Sequence, residues 1–247
     1  MKKEQNIYDL DEFYNEYIKM RETHLNANDL LEIPVMKEML PDLKGKTVLD
    51  LGCGYGEMSR YFIDLGAERV VACDISQNMI NLAKKINGHE KIEYLVLPME
   101  QLSSLDEKFD IVFSSLAFHY IEDFDKLIKD ISSHLNSKGI LLFSQEHPLV
   151  TAPILNGLDK RIDLQGKRYF LLSDYNVDGI RKTIWNNTEK ISNHRSFTTL
   201  INTIIKHDLQ IAQIHESTAR KEAVEKVAKY IYQNDRPYFL FIKAVKK

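Results

Sequence analysis

The sequence predicts an α/β protein built on a doubly wound, mostly parallel sheet with helices on both faces. Three observations lead there. From Thr47 onward, short β-rich apolar runs alternate with amphipathic helical stretches, the signature of strand–helix–strand units. The strand runs are near-continuous, as in Val70-Val71-Ala72 and Ile140-Leu141-Leu142-Phe143, which is how strands read when both faces are buried. The third is the stretch Asp50-Leu51-Gly52-Cys53-Gly54-Tyr55-Gly56, straight after Thr47-Val48-Leu49. A strand ends in a carboxylate and runs into a loop of glycines that allow sharp turning and close backbone approach to a ligand.

The elements follow in order. Tyr8 to about Leu40 reads as helices, with Phe13, Tyr17 and Met20 spaced for one face; Pro41 and Gly45 then punctuate the entry to the first strand. Strands are expected at Thr47–Leu51, Arg69–Asp74, Ile92–Leu97, Phe109–Ser114 and Ile140–Gln145, and helices at Glu57–Leu65, Gln77–Ile86 and Phe124–Leu135. From His147 to Lys190 the rhythm breaks, with Gly157, Gly166, Gly179 and scattered aromatics. This stretch reads as an insertion, a lid or substrate-pocket wall. A helix at Phe197–Lys206, a strand at Leu209–His215, a helix at Arg220–Tyr232 and a last strand at Tyr238–Ala244 complete the chain. The expected organisation is a single domain over residues 1–247, with an N-terminal helical cap (1–42), a ligand-binding core (43–146), the insertion (147–195) and the C-terminal part of the sheet (196–247).

Composition narrows the function. The 247 residues carry a net charge of −3, which argues against a nucleic-acid partner, since such partners usually meet a basic face. No apolar run is long enough to span a bilayer, so no membrane partner is expected. The polar start Met1-Lys2-Lys3-Glu4-Gln5-Asn6 has no apolar segment behind it, so no signal peptide is expected. Cys53 and Cys73 read as small buried thiols of a reducing cytosol, which points to a cytoplasmic protein. No His-Glu-x-x-His or Cys-x-x-Cys spacing marks a metal site.

The glycine loop constrains its ligand. A dinucleotide fingerprint needs Gly-x-Gly-x-x-Gly or Ala; Gly52 and Gly54 fit, but Glu57 occupies the third place. Its carboxylate, and that of Asp50 before the loop, would face the negative pyrophosphate of NAD. The pattern suits a nucleoside ligand that carries a cation and no phosphate. An NAD enzyme remains a reading only if Glu57 is tolerated there. Asp74 ends the second strand, 18 residues after Gly56, where a carboxylate accepts hydrogen bonds from ribose hydroxyls. Ser76 is the better cap for the following helix, which leaves Asp74 free.

Asp50-x-Gly52-x-Gly54-x-Gly56 resembles motif I of the class I S-adenosylmethionine-dependent methyltransferases and matches all four of its fixed positions. The resemblance implies a Rossmann-like, seven-stranded, mostly parallel sheet whose last strand lies antiparallel between strands five and six, with S-adenosylmethionine as cofactor. It implies cofactor contacts from Asp50, Gly52, Gly54, Gly56 and Asp74, with Ile75 against the adenine. Met99 and Glu100 would close over the adenine edge, and Ser115 would follow strand four at the same rim. From the N-terminal helix, Tyr17 and Arg21 would reach the cofactor, Arg21 near its carboxylate. Where the family's nucleobase and glutamine amino-methyltransferases carry Asn/Asp-Pro-Pro-Tyr/Phe, this chain has Ser114-Ser115-Leu116-Ala117, so that activity is not expected.

His119 and His147 are the general-base candidates, because an imidazole titrates near neutrality. The chain also resembles a subgroup of bacterial small-molecule methyltransferases, with Glu146-His147-Pro148 after strand five and the pair His194-Arg195 before the next helix. That resemblance implies a substrate pocket lined in part by Glu146, Tyr175, Trp185, His194 and Arg195. The expected activity is methyl transfer to O, N or C of a small molecule, by a monomer or homodimer. An RNA or protein acceptor, or a non-catalytic binder of the cofactor, are the alternatives.

Overall fold

A computed structural model of the chain describes residues 6–154, 161–185 and 188–247. Gly157 and the first five residues lie outside them. The chain opens with a 3-10 turn, Ile7–Asp9, then helix α1 (Asp11–Glu22), a π-helical turn (Asn28–Glu32) and helix α2 (Ile33–Met39).

From there strand and helix alternate as the sequence predicts: β1 (Thr47–Leu51), α3 (Glu57–Asp64), β2 (Arg69–Asp74), α4 (Gln77–Ile86), β3 (Ile92–Val96), β4 (Phe109–Ser114), α5 (Phe124–His134) and β5 (Leu135–Glu146). The caps are encoded locally. Ser76 accepts the Met79 N–H at the start of α4, and Asp123 accepts that of Lys126 at the start of α5. After β5 come α6 (Pro148–Thr151), an isolated hairpin of β6 (Arg161–Leu164) and β7 (Lys167–Phe170), and a second hairpin of β8 (Gly179–Trp185) and β9 (Thr188–His194). The first hairpin turns on Gln165 and Gly166, at φ 49° and 76°, the pair of positive values a tight two-residue turn requires. The chain ends with α7 (Phe197–Lys206), β10 (Leu209–Glu216), α8 (Lys221–Lys226) and β11 (Phe239–Lys246).

Seven strands form one sheet in the order β10-β11-β5-β4-β1-β2-β3. The β1–β5 pairings are parallel, and β11 runs antiparallel to both β5 and β10. This is the fold class expected, with the last strand between the fifth and sixth. Successive residues serve opposite faces: Val48, Ile111 and Phe113 enter one apolar cluster, and Leu49, Val112 and Phe143 enter the other. Burial on both faces explains the uninterrupted apolar runs, and each large side chain so buried contributes about 1.5–3 kcal/mol. No described helix is long and apolar enough to cross a membrane.

One element differs from expectation. The helix read over Arg220–Tyr232 breaks at Val227, which is extended (φ −141°, ψ 92°), and a 3-10 turn over Ala228–Asn234 follows. The break directs Tyr230 into the core, where its hydroxyl donates to the Leu25 carbonyl, and buries Gln233 against Ser217. Tertiary packing overrides a local helical preference here.

Candidate active site

The carboxyl ends of β2, β1, β4 and β5 open into a cavity of about 500 Å³, the place where parallel α/β sheets bind ligands. Its floor is the glycine loop. Gly52 and Cys53 donate their N–H groups to the Cys73 carbonyl, and Gly54 donates to Asp74 Oδ2 at 2.9 Å. Asp74 Oδ1 accepts the Ser76 N–H at 2.8 Å. The Asp50 carboxylate accepts the Ser59 hydroxyl at 2.6 Å.

Each glycine of the loop has its own reason. A Cβ on Gly52 would lie 2.6 Å from Ala117 Cβ, and one on Gly56 would lie 2.3 Å from Tyr94 Oη. A Cβ on Gly54 would meet nothing within 4 Å, so the space above Gly54 is open to a ligand. Gly56 itself does not line the cavity. It has a packing role: at φ 79° it starts α3 under the Tyr94 ring.

The electrostatics favour a cation. Burial, and the neighbouring Asp74, push the Asp50 carboxyl up to about 7 against the Ser59 hydrogen bond. Asp74 is raised as well, by burial first and then by Asp9, against the N–H groups of Ser76 and Gly54. Two buried carboxyls held above their ordinary range are stabilised in ionised form by a positive group between them. Arg21 supplies the opposite sign. It bridges Asp29 (2.9 Å) and Glu57 (2.8 Å), and its buried Nε–H has no hydrogen-bond acceptor. Carboxylates for a sulfonium and ribose, and an unsatisfied guanidinium N–H for a carboxylate, fit S-adenosylmethionine.

Tyr17, Ile75, Met99, Glu100 and Ser115 also line the cavity. Ser115 is held from beneath. Glu32, fully buried on the π-helical turn, accepts the hydroxyls of Ser115 (2.9 Å) and Ser144 (2.5 Å) on Oε1. Ser144 Oγ in turn accepts the N–H of Leu116, which sits at φ 49°, a conformation costing a non-glycine residue about 1–2 kcal/mol. Burial outweighs the two serine hydrogen bonds and pushes the Glu32 carboxyl up to about 7.

At the β5 end the cavity is walled by His119, Tyr120, Glu146, Trp185, Lys190 and Arg236. Lys190 Nζ lies 2.6 Å from Glu146 Oε1, and His119 Nε2 lies 4.0 Å from Glu146 Oε2. Burial drives the His119 imidazole down to about 4; Glu146 opposes that, while Lys190 and Arg195 reinforce it. Its ring is neutral at neutral pH, and Nδ1 faces the Glu146 N–H at 3.5 Å. The N-terminal turn closes the same space: Tyr8 packs edge-on to Tyr17 and Tyr120, and Asp9 accepts from Ser76 Oγ and the Gln77 and Asn78 N–H groups.

Four expected site residues lie elsewhere. His147 is a helix cap: Nδ1 accepts the Leu149 N–H and Nε2 bonds Glu216. His194 is fully buried between Thr151 Oγ1 and the Tyr175 carbonyl. The Tyr175 hydroxyl accepts the Phe197 N–H. Arg195 donates to the carbonyls of Phe118, Ile121 and Glu122, with its guanidinium 4.8 Å from the Phe124 ring. It clamps the turn that carries His119 and Tyr120. Conversely, sequence reasoning did not single out Tyr8, Lys190 and Arg236; nothing in the sequence separates Lys190 from the rest of the chain's 33 Lys and Arg.

The comparisons agree with this geometry. Residues 49–143 match the methyltransferase domain model. An uncharacterised protein of Haemophilus influenzae is 35% identical over 97% of this chain and 96% of its own. A malonyl-[acyl-carrier protein] O-methyltransferase of Hamiltonella defensa is 35% identical over 43% of this chain, which spans 40% of that protein. The crystal structure of a candidate S-adenosylmethionine-dependent methyltransferase from Listeria monocytogenes superposes with a TM-score of 0.80 at 32% identity, over 87% of this chain and 96% of that one. Identity of that depth, over nearly the whole of a solved relative, places the chain in the family of S-adenosylmethionine-dependent methyltransferases: it is an enzyme of that family, and S-adenosylmethionine is its cofactor.

Proposed function

We propose that the enzyme methylates a small molecule enclosed at the β5 end of the cavity. The observation that carries this is the enclosure itself. The wall facing Glu146 and His119 includes Tyr8 and Tyr17 from the N-terminal segment and Trp185 and Lys190 from the β8–β9 hairpin. An acceptor held among these side chains is surrounded on several sides, which suits a small molecule better than a duplex or a protein surface. The similarity to an O-methyltransferase of Hamiltonella defensa, over 43% of this chain, supports oxygen as the atom methylated.

When bound, S-adenosylmethionine supplies a methyl group activated on a sulfonium. In this reading Asp74 accepts from the ribose hydroxyls, and Ile75, Met99 and Glu100 border the adenine. Arg21 uses its free Nε–H on the carboxylate of the methionine moiety, with Tyr17 beside it. Asp50 stabilises the cationic end, Gly52 and Gly54 let the backbone approach, and Ser115 contacts the cofactor. Glu146 and Trp185 bound the acceptor. His119 acts as a neutral polar wall, because a group held near 4 is a weak base at neutral pH. The residues act mainly by alignment and by excluding water.

The test is incubation of the full chain with methyl-labelled cofactor and a metabolite extract cleared of macromolecules by filtration. Label should enter the small-molecule fraction. Label confined to added RNA or protein, with none in that fraction, would sink the reading.

A further inference from the structure

The chemistry at the β5 end narrows the acceptor, on the reading that this enzyme methylates a small molecule. Glu146 and Asp74 end strands three spacings apart in the sheet, roughly 14 Å, so the acceptor end is distinct from the pair of carboxyls at β1 and β2. It also carries a buried ammonium. Lys190 is 8% exposed, and its Nζ lies 5.6 Å from the Trp185 ring centroid and 5.8 Å from that of Tyr120. Arg236 adds a second cation to the lining, its guanidinium 4.1 Å from the Phe170 ring centroid. Glu146 is the carboxylate that faces Lys190 there.

An ammonium has three donor hydrogens. Lys190 Nζ makes one hydrogen bond, to Glu146 Oε1. Its remaining donors sit among aromatic rings in a buried site, where an unmet charge-bearing donor is costly. A ligand anion would satisfy them.

Among the described residues at this end, the Glu146 carboxylate is the one ionised base, and it is engaged by the Lys190 ammonium at 2.6 Å; the other titratable groups are poorly suited to deprotonate an acceptor. His119 is buried and neutral. Burial presses the Lys190 ammonium toward deprotonation, but the Glu146 carboxylate and the Tyr120 phenol outweigh it and hold the proton on. The phenols of Tyr8 and Tyr120 are raised by burial and stay protonated. Alcohols, thiols, phenols and alkylammonium ions all need a base near neutral pH, because their pKa values lie above it. A carboxylic acid arrives already ionised.

We propose that the acceptor is an apolar carboxylic acid, bound as its carboxylate by Lys190 and Arg236 against the Trp185–Tyr120 wall and converted into a methyl ester. One carboxylate oxygen donates a lone pair to form the new O–C bond. The bond from the methyl carbon to sulfur breaks, and its electron pair stays on sulfur as an uncharged thioether. The acceptor loses its negative charge, the sulfonium loses its positive charge, and no proton moves. Lys190 positions the oxygen that attacks; Glu146 orients Lys190.

The experiment uses the full chain, methyl-labelled cofactor and a filtered metabolite extract, split into the fraction retained on an anion-exchange resin and the fraction that flows through. Products are then treated with alkali, which hydrolyses methyl esters to volatile labelled methanol and leaves methyl ethers, amines and thioethers intact. The expected result is label from the retained fraction that leaves as methanol. Alkali-stable label overturns the carboxylate acceptor while methyl transfer to a small molecule stands. No label from either fraction overturns both. In a dilution series of the retained fraction, Lys190→Met should need about tenfold more extract to reach half-maximal rate, the loss of one charge-assisted hydrogen bond. Its affinity for S-adenosylhomocysteine, the demethylated cofactor, should be unchanged, and Lys190→Arg should restore part of the rate. An unchanged requirement in Lys190→Met overturns the assignment of Lys190.

Discussion

Asp74 Oδ2 accepts the Gly54 N–H at 2.9 Å, so the carboxylate that ends β2 and the glycine loop that follows β1 form one hydrogen-bonded unit. Asp74→Ala should therefore weaken S-adenosylhomocysteine binding about 10- to 100-fold, the scale of one or two hydrogen bonds to a charged group. Calorimetric titration reads this directly, and an unchanged affinity would remove the ribose assignment.

The loop glycines should separate by role. Gly56→Ala places a Cβ 2.3 Å from Tyr94 Oη at φ 79° and should cost about 2–4 kcal/mol in urea unfolding, from backbone strain and overpacking together. Gly54→Ala meets open space and should cost only about 1–2 kcal/mol, yet lose most cofactor affinity. Equal stability losses for the two would contradict this division.

Arg21 should matter to one part of the cofactor. Arg21→Met is expected to lower affinity for S-adenosylhomocysteine about tenfold or more, while affinity for 5′-methylthioadenosine, which lacks the amino-acid moiety, stays close to wild type. A parallel loss for both ligands would mean that Arg21 acts through the fold alone.

Glu32 makes a stability prediction with a sign. Its carboxyl is raised in the folded protein from an ordinary 4.5 to about 7. The folded state then binds more protons than the unfolded chain between those values. The stability contributed is fully present below about pH 4.5 and lost as pH rises through about 7, on the order of 3 kcal/mol. Between pH 5 and pH 8 the wild type should lose that much more stability than Glu32→Gln, which keeps an acceptor for Ser115 and Ser144. Asp50 shifts in the same direction, so the variant retains part of the slope. Indistinguishable pH profiles would show that the Glu32 carboxyl is not raised.

His119 should behave as a wall and not as a base. His119→Asn is expected to lower kcat by less than about tenfold, because removal of a general base typically costs 10²–10⁴. A loss of 100-fold or more, with cofactor affinity intact, would restore the catalytic role read from the sequence.

The half of the site built on the sheet was legible because its signals are local. Asp50, Gly52, Gly54 and Asp74 sit at strand ends, in a spacing that the alternation of strand and helix already locates. Lys190, Tyr8 and Arg236 come together only through tertiary folding, from a hairpin, a single turn and the loop before β11, and no period or spacing ties them together. Arg195 and His194, read from the sequence as pocket residues, lie outside the cavity lining. Polar side chains near the rim looked like ligand contacts, yet burial gave them backbone carbonyls and neighbouring side chains to satisfy. The broken helix after Arg220 has the same cause, since Tyr230 answers to the core and not to its neighbours in the chain.

Among the described residues, β8 and β9 pair only with each other, yet they contribute Trp185 and Lys190 to the cavity. On the proposed reading, the glycine loop and Asp74 that would hold the donor belong to the central sheet, while part of the acceptor wall belongs to this ribbon. Substitutions on the ribbon leave the backbone pairing of the central strands intact. A lineage built this way can change what it methylates while inheriting how it methylates, and exchanging residues 179–194 between relatives is the natural route to redirecting the enzyme.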